Sequence, residues 1–308
     1  MQVLSQRYLP MGSRMVRTCS AWWLVAALGL QAHGVRAQDG DKPARAGSHQ
    51  GRTLAAGIGG GALIAGSLIA LDHAWYRQYE RGHFRFFNDG REWQGMDKAG
   101  HVFATYTVGE WGHTLLRWCG VRDRAALWAG GMVGLVYLTG VEYLDGRSVG
   151  WGFSCWDMAA NAAGTGLYIG QELAWGEQRL RVKYSARLSP YAAQRPSLLG
   201  DGLAERILKD YNGATVWLSV PPALFGCKAV PPWFALAVGY GAGGMLGAEP
   251  APGQYRQFLL APDLDLTRLP VKGDGWRALL KVLNCVKVPL PALEVDSRGR
   301  WFLHPLYF

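Results

Sequence analysis

An uncharged stretch of eighteen residues, LAAGIGGGALIAGSLIAL at 54–71, constrains the fold of this chain more than any other feature. Eighteen apolar residues are close to the minimum length of a membrane-spanning helix. Three further apolar segments also have helical length, and the expected helices are 54–72, 98–118, 124–142 and 156–175. Because the four helices have similar lengths, the sequence predicts a helical bundle.

Small residues four positions apart recur in these segments. They remove side-chain bulk from one helix face and let two backbones approach closely, as in membrane helix pairs. The pairs are Gly57 and Gly61, Gly130 and Gly134, Ala160 and Gly164, and Gly166 and Gly170. A tightly packed bundle in water also fits, since glycine-rich helices need close neighbours in either solvent. Fourteen tryptophans favour membrane embedding or association, because this residue is enriched at bilayer interfaces.

Beyond about residue 180 the sequence changes to short runs separated by Pro, Gly and Asp. Polar and apolar residues alternate most clearly at 263–266, which is typical of a strand. The predicted strands are 214–220, 233–241, 258–267 and 300–308, with one short helix at 275–284. The predicted fold class is mainly α with a β-containing C-terminal part: a helical bundle domain at 53–180 and a β-rich region at 181–308.

The N-terminus, residues 1–37, has the layout of a secretory signal peptide. Arginines without any acid precede the apolar run SAWWLVAALGL, and we expect cleavage near Ala37. Cys19 precedes that run, whereas a lipoprotein signal needs its cysteine at the cleavage site, so lipidation is not expected. Residues 38–52 are polar and predict a flexible leader. The expected location is the periplasm or cell envelope, and the terminal Phe308, which resembles the ending of outer-membrane proteins, adds the outer membrane as a candidate.

The net charge argues against a nucleic-acid partner, and the cysteine count bears on disulfide bonds. The formal charge is +9, and removal of the four presequence arginines leaves about +5, which is too mild to indicate nucleic acid. An even number of cysteines remains in a chain that is exported to an oxidising compartment. They are Cys119, Cys155, Cys227 and Cys285. Two disulfides or four buried thiols both fit, because the spacings match no zinc or redox motif.

Polar residues that interrupt the apolar helices are the candidates for chemistry, because burying them costs several kcal/mol unless they are paired. Two of the three sets contain polar residues four positions apart, which places them on one helix face. The sets are Asp97, Lys98 and His101; Glu142 with Asp145 and Arg147; and Asp157 with Asn161.

We expect these sets to converge near one end of the bundle if the helices that carry them pack together. Such a cluster can bind a divalent cation or transfer protons, although the sequence names no metal and no cofactor. Structural roles fit the same residues: Asp97 and Asp157 as acids at helix starts, and Asn161 as an amide that joins two helices.

The stretch from about 74 to 245 resembles the family called domain of unknown function 2279, the YfiM-like predicted periplasmic proteins. The resemblance depends on five motifs that occur in the order expected for the family. They are FRFFNDGREWQGMDKAGH, GVEYLDGRSVGWGFSCWDMAANAAGTGL, GQELAWGEQRLRVKYS, RPSLLG and LKDYNGATVWLS. The resemblance implies an exported envelope protein and no established reaction. This chain departs from the family's lipoprotein description because it lacks a usable lipobox.

A looser pattern is similar to VanZ-like membrane proteins. It combines DK..H, an acid that ends an apolar helix, an arginine, and D...N..G. The matching residues are Asp97, Lys98, His101, Glu142, Arg147, Asp157, Asn161 and Gly164. This resemblance implies a link to glycopeptide-antibiotic resistance through action on envelope lipids or their head groups.

Two hypotheses follow. In the first, the protein is a non-enzymatic envelope protein, and a buried Asp/His/Glu/Asn network holds its helices together. In the second, it is a membrane-associated enzyme that acts on a lipid or lipid-linked head group, with His101 as acid, base or nucleophile. The predicted catalytic residues are Asp97, Lys98, His101, Glu142, Asp157 and Asn161, and the predicted substrate-binding residues are Arg147 and Asp145. The expected partner is a membrane lipid or another envelope component.

Overall fold

The structure is a computed structural model that describes residues 46–72 and 80–308. The predicted signal peptide lies outside these residues. Helix α1 (Ala46–Leu71) is the first described element, so the last residues of the predicted flexible leader are helical. Pro43, the only proline of that segment, precedes the helix, so nothing in 46–52 removes a helical hydrogen bond.

Four further helices complete the bundle: α2 (Met96–Trp118), α3 (Asp123–Gly131), α4 (Val133–Gly146) and α5 (Cys155–Trp175). The predicted helix 124–142 is two helices, because the chain turns at Met132 directly after Gly130 and Gly131. Two successive glycines weaken a helix by roughly 1 kcal/mol each relative to alanine. The predicted count of four helices is therefore too low.

Helix α2 is central and packs against α3, α4 and α5. Phe103 and Tyr106 of α2 meet Tyr168 and Ile169 of α5 in a buried core. Val182 of the C-terminal sheet belongs to the same core. The bundle and the sheet therefore share apolar packing.

Two glycines allow the closest helix contacts. A Cβ at Gly164 would lie 2.3 Å from the Val102 carbonyl oxygen, and a Cβ at Gly130 would lie 2.3 Å from the His113 amide nitrogen. The predicted close packing is present at both positions, and Gly134 is similarly enclosed. A Cβ would meet no described atom within 4 Å at the remaining glycines of the predicted pairs, which are Gly57, Gly61, Gly166 and Gly170.

A small parallel pair, β1 (Phe86–Phe87) and β2 (Phe153–Ser154), precedes the main sheet. The main sheet has six antiparallel strands, and each strand pairs with the next one along the chain. Its strands are β3 (Arg181–Ala186), β4 (Ala214–Val220), β5 (Phe234–Gly243), β6 (Tyr255–Leu264), β7 (Leu290–Asp296) and β8 (Trp301–Tyr307). The shorter helices are α6 (Pro196–Leu199), α7 (Leu203–Lys209) and α8 (Asp274–Leu283).

Strands β4, β5, β6 and β8 match the predicted strands, and α8 matches the predicted short helix. The prediction missed β3 and β7. Strand β3 contains Arg181 and Lys183, and β7 contains Pro291, all of which are unusual inside a strand.

Both faces of this sheet carry apolar side chains. The inner face encloses a hydrophobic cluster that includes Trp217 and Leu259, together with buried polar pairs. Lys183 and Asp263 are both 0% exposed, with Nζ and Oδ2 2.9 Å apart. The sheet curves enough for Tyr184 of β3 to pair with Val286, just before β7. The inner face is therefore enclosed by the sheet itself.

Apolar side chains occupy the outer face. Its β3 and β4 portion packs on the bundle, where Val182 is buried and Val216 and Leu218 are half-buried. The remaining portion is exposed, and we call it the outer strip. It consists of Leu236, Val238, Phe258, Leu260, Leu293, Trp301 and Leu303.

The four cysteines of the predicted mature chain lie among the described residues. They are thiols, and no disulfide joins them in this part of the chain. Cys119 is buried, Cys155 and Cys227 are exposed, and Cys285 is half-buried. The alternatives were two disulfides or four buried thiols. The structure has thiols, but of these four cysteines only Cys119 is fully buried.

By length and composition, Asp123–Gly146, which comprises α3 and α4, is the one stretch among the described residues that is apolar enough to cross a membrane. A third of its most apolar window is buried inside the protein. The apolar part of α1, Leu54–Ile69, is shorter than a membrane-spanning helix.

Candidate functional site

The first turn of α2 is positioned by a strained segment. Trp93 and Gln94 have φ angles of 49° and 53°, a left-handed conformation that is uncommon outside glycine. Contacts with the sheet region hold it, because the Tyr240 hydroxyl donates a 2.5 Å hydrogen bond to the Gln94 carbonyl. The Trp93 amide donates to the Ala248 carbonyl at 2.8 Å. The sheet thereby fixes where α2 starts.

Lys98, in this first turn, is surrounded by carboxylates. Its Nζ lies 2.5 Å from Asp89 Oδ2, 2.6 Å from Asp97 Oδ2 and 3.0 Å from Asp157 Oδ1. These acids belong to three segments: the loop before α2, α2 itself and α5. One ammonium group therefore joins three parts of the fold.

His101 lies one turn further along α2 and faces α4 and α5. Its Nδ1 is 2.9 Å from Asn161 Oδ1. On the other side of the ring, Nε2 is 3.7 Å from Glu142 Oε1 and 3.8 Å from Asp157 Oδ1. Members of all three predicted polar sets therefore meet at one end of the bundle, with Glu142 as the member from the second set.

The start of α5 contributes a residue that the prediction omitted. Ser154 caps the helix, because its Oγ accepts a hydrogen bond from the Asp157 amide at 3.0 Å. The same hydroxyl donates to Asp89 Oδ1 at 2.5 Å, and the Ser154 amide donates to Glu142 Oε2 at 3.1 Å. The spacing Ser-x-x-Asp at 154–157 is a helix-start signal that could have identified it.

Asp89 is the second omitted residue. It lies inside the motif FRFFNDGREWQGMDKAGH but outside any predicted helix. The four-residue spacing that identified the other acids therefore could not identify Asp89. The polar cluster comprises Asp89, Asp97, Lys98, His101, Glu142, Ser154, Asp157 and Asn161.

Burial and mutual repulsion change the acidities in the polar cluster. Burial and then the charge of Asp157 raise the pKa of Glu142 to about 8. Burial is also the main cause that raises the pKa of Asp157 to about 6 and the pKa of Asp97 above its usual value. Burial acts in the same direction on Asp89, but hydrogen bonds from Lys98 and Ser154 outweigh it and lower the Asp89 pKa.

Two buried atoms of the polar cluster make no hydrogen bond within the described residues: Asn161 Nδ2, and Asp157 Oδ1, which has the Lys98 ammonium 3.0 Å away as an ion-pair partner. Both side chains are buried, and Asn161 is 0% exposed. Such groups are costly to bury, typically ~1–3 kcal/mol each. The cluster is therefore incompletely satisfied by its own members.

The two predicted substrate-binding residues, Arg147 and Asp145, do not belong to the polar cluster. Arg147 is exposed and lines a pocket of about 150 Å³ with Asp72 and Arg81, away from the residues of the polar cluster. Asp145 is half-buried near the end of α4, where its charge helps to raise the Glu142 pKa. The structure therefore assembles the six predicted catalytic residues but places Arg147 in a separate pocket.

Two sets in the polar cluster have donor atoms close enough together to hold a metal ion. In each set the donor atoms lie within 4.8 Å of one another. One set is His101, Glu142 and Asp157, and the other is Asp89, Asp97 and Asp157.

Glu92, close to the polar cluster, leads to a pH prediction. Burial first, then the charges of Glu249 and Asp89, raise its pKa to about 7. A raised carboxyl pKa means that the folded state binds more protons than the unfolded state between about pH 4.5 and 7, so stability falls as pH rises through that window. We expect Glu92→Gln to stabilise the protein at pH 8 by about 1 kcal/mol, a value discounted for partial exposure, and much less at pH 4.

Urea unfolding of parent and variant at both pH values measures this difference. Glu80→Gln, at an exposed glutamate, is the control. An equal effect of Glu92→Gln at pH 4 and pH 8 would contradict the assignment.

An apolar groove of about 710 Å³ lies beside the bundle, between the helices and the outer face of the sheet. Val102 of α2 and Leu167 of α5 line one side. The sheet side includes Phe258, Leu260 and Trp301 of the outer strip. The groove therefore continues the outer strip towards the bundle, and Val102 follows His101 in the chain.

Comparison with known families places the polar cluster in a recognised segment. Residues 85–169 match the sequence model of a family described as predicted periplasmic lipoprotein (DUF2279). The resemblance to DUF2279 is confirmed for this segment. Every member of the polar cluster lies inside the DUF2279 match, whereas the six-stranded sheet lies outside it.

The DUF2279 match supports an exported envelope protein. A search of curated proteins and a search of solved structures found no match. The similarity to VanZ-like proteins stays a prediction.

Proposed function

We propose that this envelope protein associates with lipid through the outer strip, while the polar cluster holds the adjoining helices together. The observation that carries the proposal is the exposed apolar outer strip. The inner face of the sheet already encloses its own hydrophobic cluster, so the outer strip is apolar surface that this cluster does not cover. Lipid is an apolar neighbour that would remove this surface from water.

Exposure of the outer strip is extensive. Leu303 is 75% exposed, Trp301 66% and Val238 54%. Soluble monomers rarely expose contiguous apolar patches larger than a few hundred Å², and larger patches mark interaction surfaces. Each Å² removed from water contributes ~25 cal/mol, so insertion into lipid is favourable.

Strand length and charge favour lipid as the occupant. Strands β5 and β6 have ten residues each, and transmembrane β-strands need about 9–11. At one end of the sheet, Arg256 is the second residue of β6, and Arg298 and Arg300 lie at the turn between β7 and β8, beside Trp301. Arginines and a tryptophan at the edge of an apolar surface match the anionic head groups and interfacial layer of a membrane.

The connectivity of the polar cluster supports a structural role. Lys98 joins α2, α5 and the Asp89 loop, and Glu142 of α4 accepts a hydrogen bond from the Ser154 amide at the start of α5. A buried network broken on one side typically costs about 3–5 kcal/mol. The helices beside the sheet are therefore fixed relative to one another.

Vesicle binding tests the role of the outer strip. We expect the purified protein to co-sediment with phosphatidylglycerol vesicles more strongly than with phosphatidylcholine vesicles. Leu303→Asp should reduce binding at least tenfold, because burying a carboxylate in lipid costs more than ~1.4 kcal/mol. Leu203→Asp is the matched control, since Leu203 is 63% exposed but lies on α7, outside the outer strip.

Equal loss of binding in both variants would contradict the proposal. A change of oligomeric state in Leu303→Asp, measured by light scattering, would instead assign the outer strip to contact between two copies of the chain.

A head-group enzyme is the second candidate function. The observation in its favour is His101, whose side chain is 19% exposed and faces two carboxylates beside Lys98. In that case His101→Ala should change the envelope lipids of a deletion strain complemented with the variant, while protein abundance stays near the parent level. Mass spectrometry of extracted lipids measures this, and identical lipids with and without the gene would exclude the enzyme.

A further inference from the structure

We propose that His101 Nε2, Glu142 Oε1 and Asp157 Oδ1 bind one first-row divalent metal ion of the Zn²⁺ class. Nε2 lies 3.7 Å from the glutamate oxygen and 3.8 Å from the aspartate oxygen. Zinc bonds of ~2.1 Å in tetrahedral geometry place two ligand atoms roughly 3.4 Å apart. A contraction of a few tenths of an ångström brings Nε2 to that spacing from each carboxylate oxygen, and the donor atoms of the three residues all lie within 4.8 Å of one another. These proposed ligands go beyond the structural role of the polar cluster.

The imidazole is oriented for metal binding. Asn161 Oδ1 can only accept, so the proton of the His101 ring lies on Nδ1, which donates across 2.9 Å. In the neutral ring, Nε2 then carries the lone pair that faces the two carboxylate oxygens. A second partner that holds Nδ1 is typical of histidine metal ligands.

The surroundings of Asp157 Oδ1 are a second observation. Its side chain is 9% exposed, and Lys98 Nζ lies 3.0 Å and His101 Nε2 3.8 Å from this oxygen, although neither contact is a hydrogen bond. Asp157 is also one of three residues whose donor atoms lie within 4.8 Å of one another. A metal ion there would give this buried oxygen a directed bond in addition to the charge of Lys98.

Charge balance favours a divalent ion. The polar cluster holds the four carboxyl groups of Asp89, Asp97, Glu142 and Asp157 around the single ammonium of Lys98. Fully ionised, this set has an excess of three negative charges, and a divalent ion leaves one. Buried charges without such compensation are unfavourable.

The second set of acids is a poorer candidate. Lys98 Nζ lies within 2.5–3.0 Å of Asp89, Asp97 and Asp157, so an ammonium already occupies the space between these carboxylates. An imidazole also selects against Mg²⁺ and Ca²⁺, which prefer oxygen ligands only. Zn²⁺, and Co²⁺ as its spectroscopic substitute, are therefore the probes to use.

Metal titration of the purified full chain tests the proposal, in a Cys155→Ser, Cys227→Ser background that removes the exposed thiols. After treatment with a chelator, we expect one equivalent of Zn²⁺ to bind by calorimetry. Asp157→Asn and His101→Ala should each weaken binding at least 100-fold, and Asn161→Ala, which acts through His101, about 10–100-fold. His304→Ala is the control, because His304 contacts Glu294 at 2.8 Å in the sheet, away from the polar cluster.

Co²⁺ spectroscopy of the unmutated site keeps the test decisive if a variant fails to fold. We expect the visible bands of a low-symmetry nitrogen and oxygen site, without thiolate charge transfer. Absence of stoichiometric Co²⁺ and Zn²⁺ binding would overturn the proposal, and so would unchanged Zn²⁺ affinity in folded Asp157→Asn. Either result would leave His101 as a structural member of the polar cluster, and would not affect lipid binding by the outer strip.

Discussion

Replacing Asp263 by alanine is expected to lower the free energy of unfolding by about 3–5 kcal/mol, because it leaves a lysine charge buried without its partner. Lys183 Nζ lies 2.9 Å from Asp263 Oδ2, and both side chains are 0% exposed. The Ser219 hydroxyl donates to the same carboxylate oxygen at 2.6 Å and would lose its acceptor. Urea denaturation followed by circular dichroism measures the change.

A surface pair of the same length is the control. Arg117 Nε and Asp123 Oδ1 are also 2.9 Å apart, but their side chains are 58% and 80% exposed. Asp123→Ala should cost less than ~1 kcal/mol, because water already screens that pair. Similar losses in Asp123→Ala and Asp263→Ala would show that water screens the ion pair on the inner face of the sheet as well.

Replacing both Lys183 and Asp263 separates the effect of the unpaired charge on stability from the effect of side-chain volume. The double variant Lys183→Met, Asp263→Leu should be more stable than Asp263→Ala alone, since it removes the buried Lys183 charge and leaves only Lys287, 3.9 Å from Asp263 Oδ1 in the parent, without this partner. A double variant that is no more stable than the single one would mean that the volume of the side chains dominates.

The sequence was sufficient to predict the long helices of this fold for a physical reason. Helix α2 and helix α5 are long apolar segments, and local periodicity determines such elements. The break at Met132 was not predicted because it depends on packing of Gly130 against α2, a tertiary contact. Strand β3 was missed because Lys183 is charged, and only its buried partner Asp263 makes it acceptable there.

The alternation of polar and apolar residues also could not predict which face of the sheet is enclosed. The alternation at 263–266 correctly indicates a strand but not which of its faces is enclosed. In the structure Asp263 faces inward and the leucines of the outer strip face outward, which depends on the pairing of β6 with β5 and β7. The lipid surface proposed for this protein therefore could not be found before the sheet was known.

The polar cluster was largely predictable because its members share helix faces. The four-residue spacings of Asp97 with His101 and of Asp157 with Asn161 placed each pair on one face, and the structure brings the pairs together. Asp89 lies in a loop, where no periodicity applies, and its position depends on its contact with Lys98.

Gly164→Ala is the second substitution with a large expected effect. An added Cβ would lie 2.2 Å from Thr105 Oγ1 and 2.3 Å from the Val102 carbonyl oxygen. Real Cβ contacts are not this short, so α2 and α5 must separate, at a cost of about 2–3 kcal/mol. Gly166→Ala, two residues along the same helix, is the matched control because its Cβ would meet no described atom within 4 Å. It should gain about 0.5–1 kcal/mol from the higher helix propensity of alanine.

The same pair of variants relates helix packing to the polar cluster. Asn161 precedes Gly164 by less than one turn, and Val102 follows His101 directly, so a separation at Gly164 also lengthens the 2.9 Å contact between Asn161 and His101. We therefore expect Gly164→Ala to weaken Zn²⁺ binding in the calorimetric titration as well as lower the melting temperature, whereas Gly166→Ala should leave metal affinity unchanged. Loss of stability without loss of metal affinity in Gly164→Ala would show that the polar cluster keeps its geometry without the close approach of the two helices.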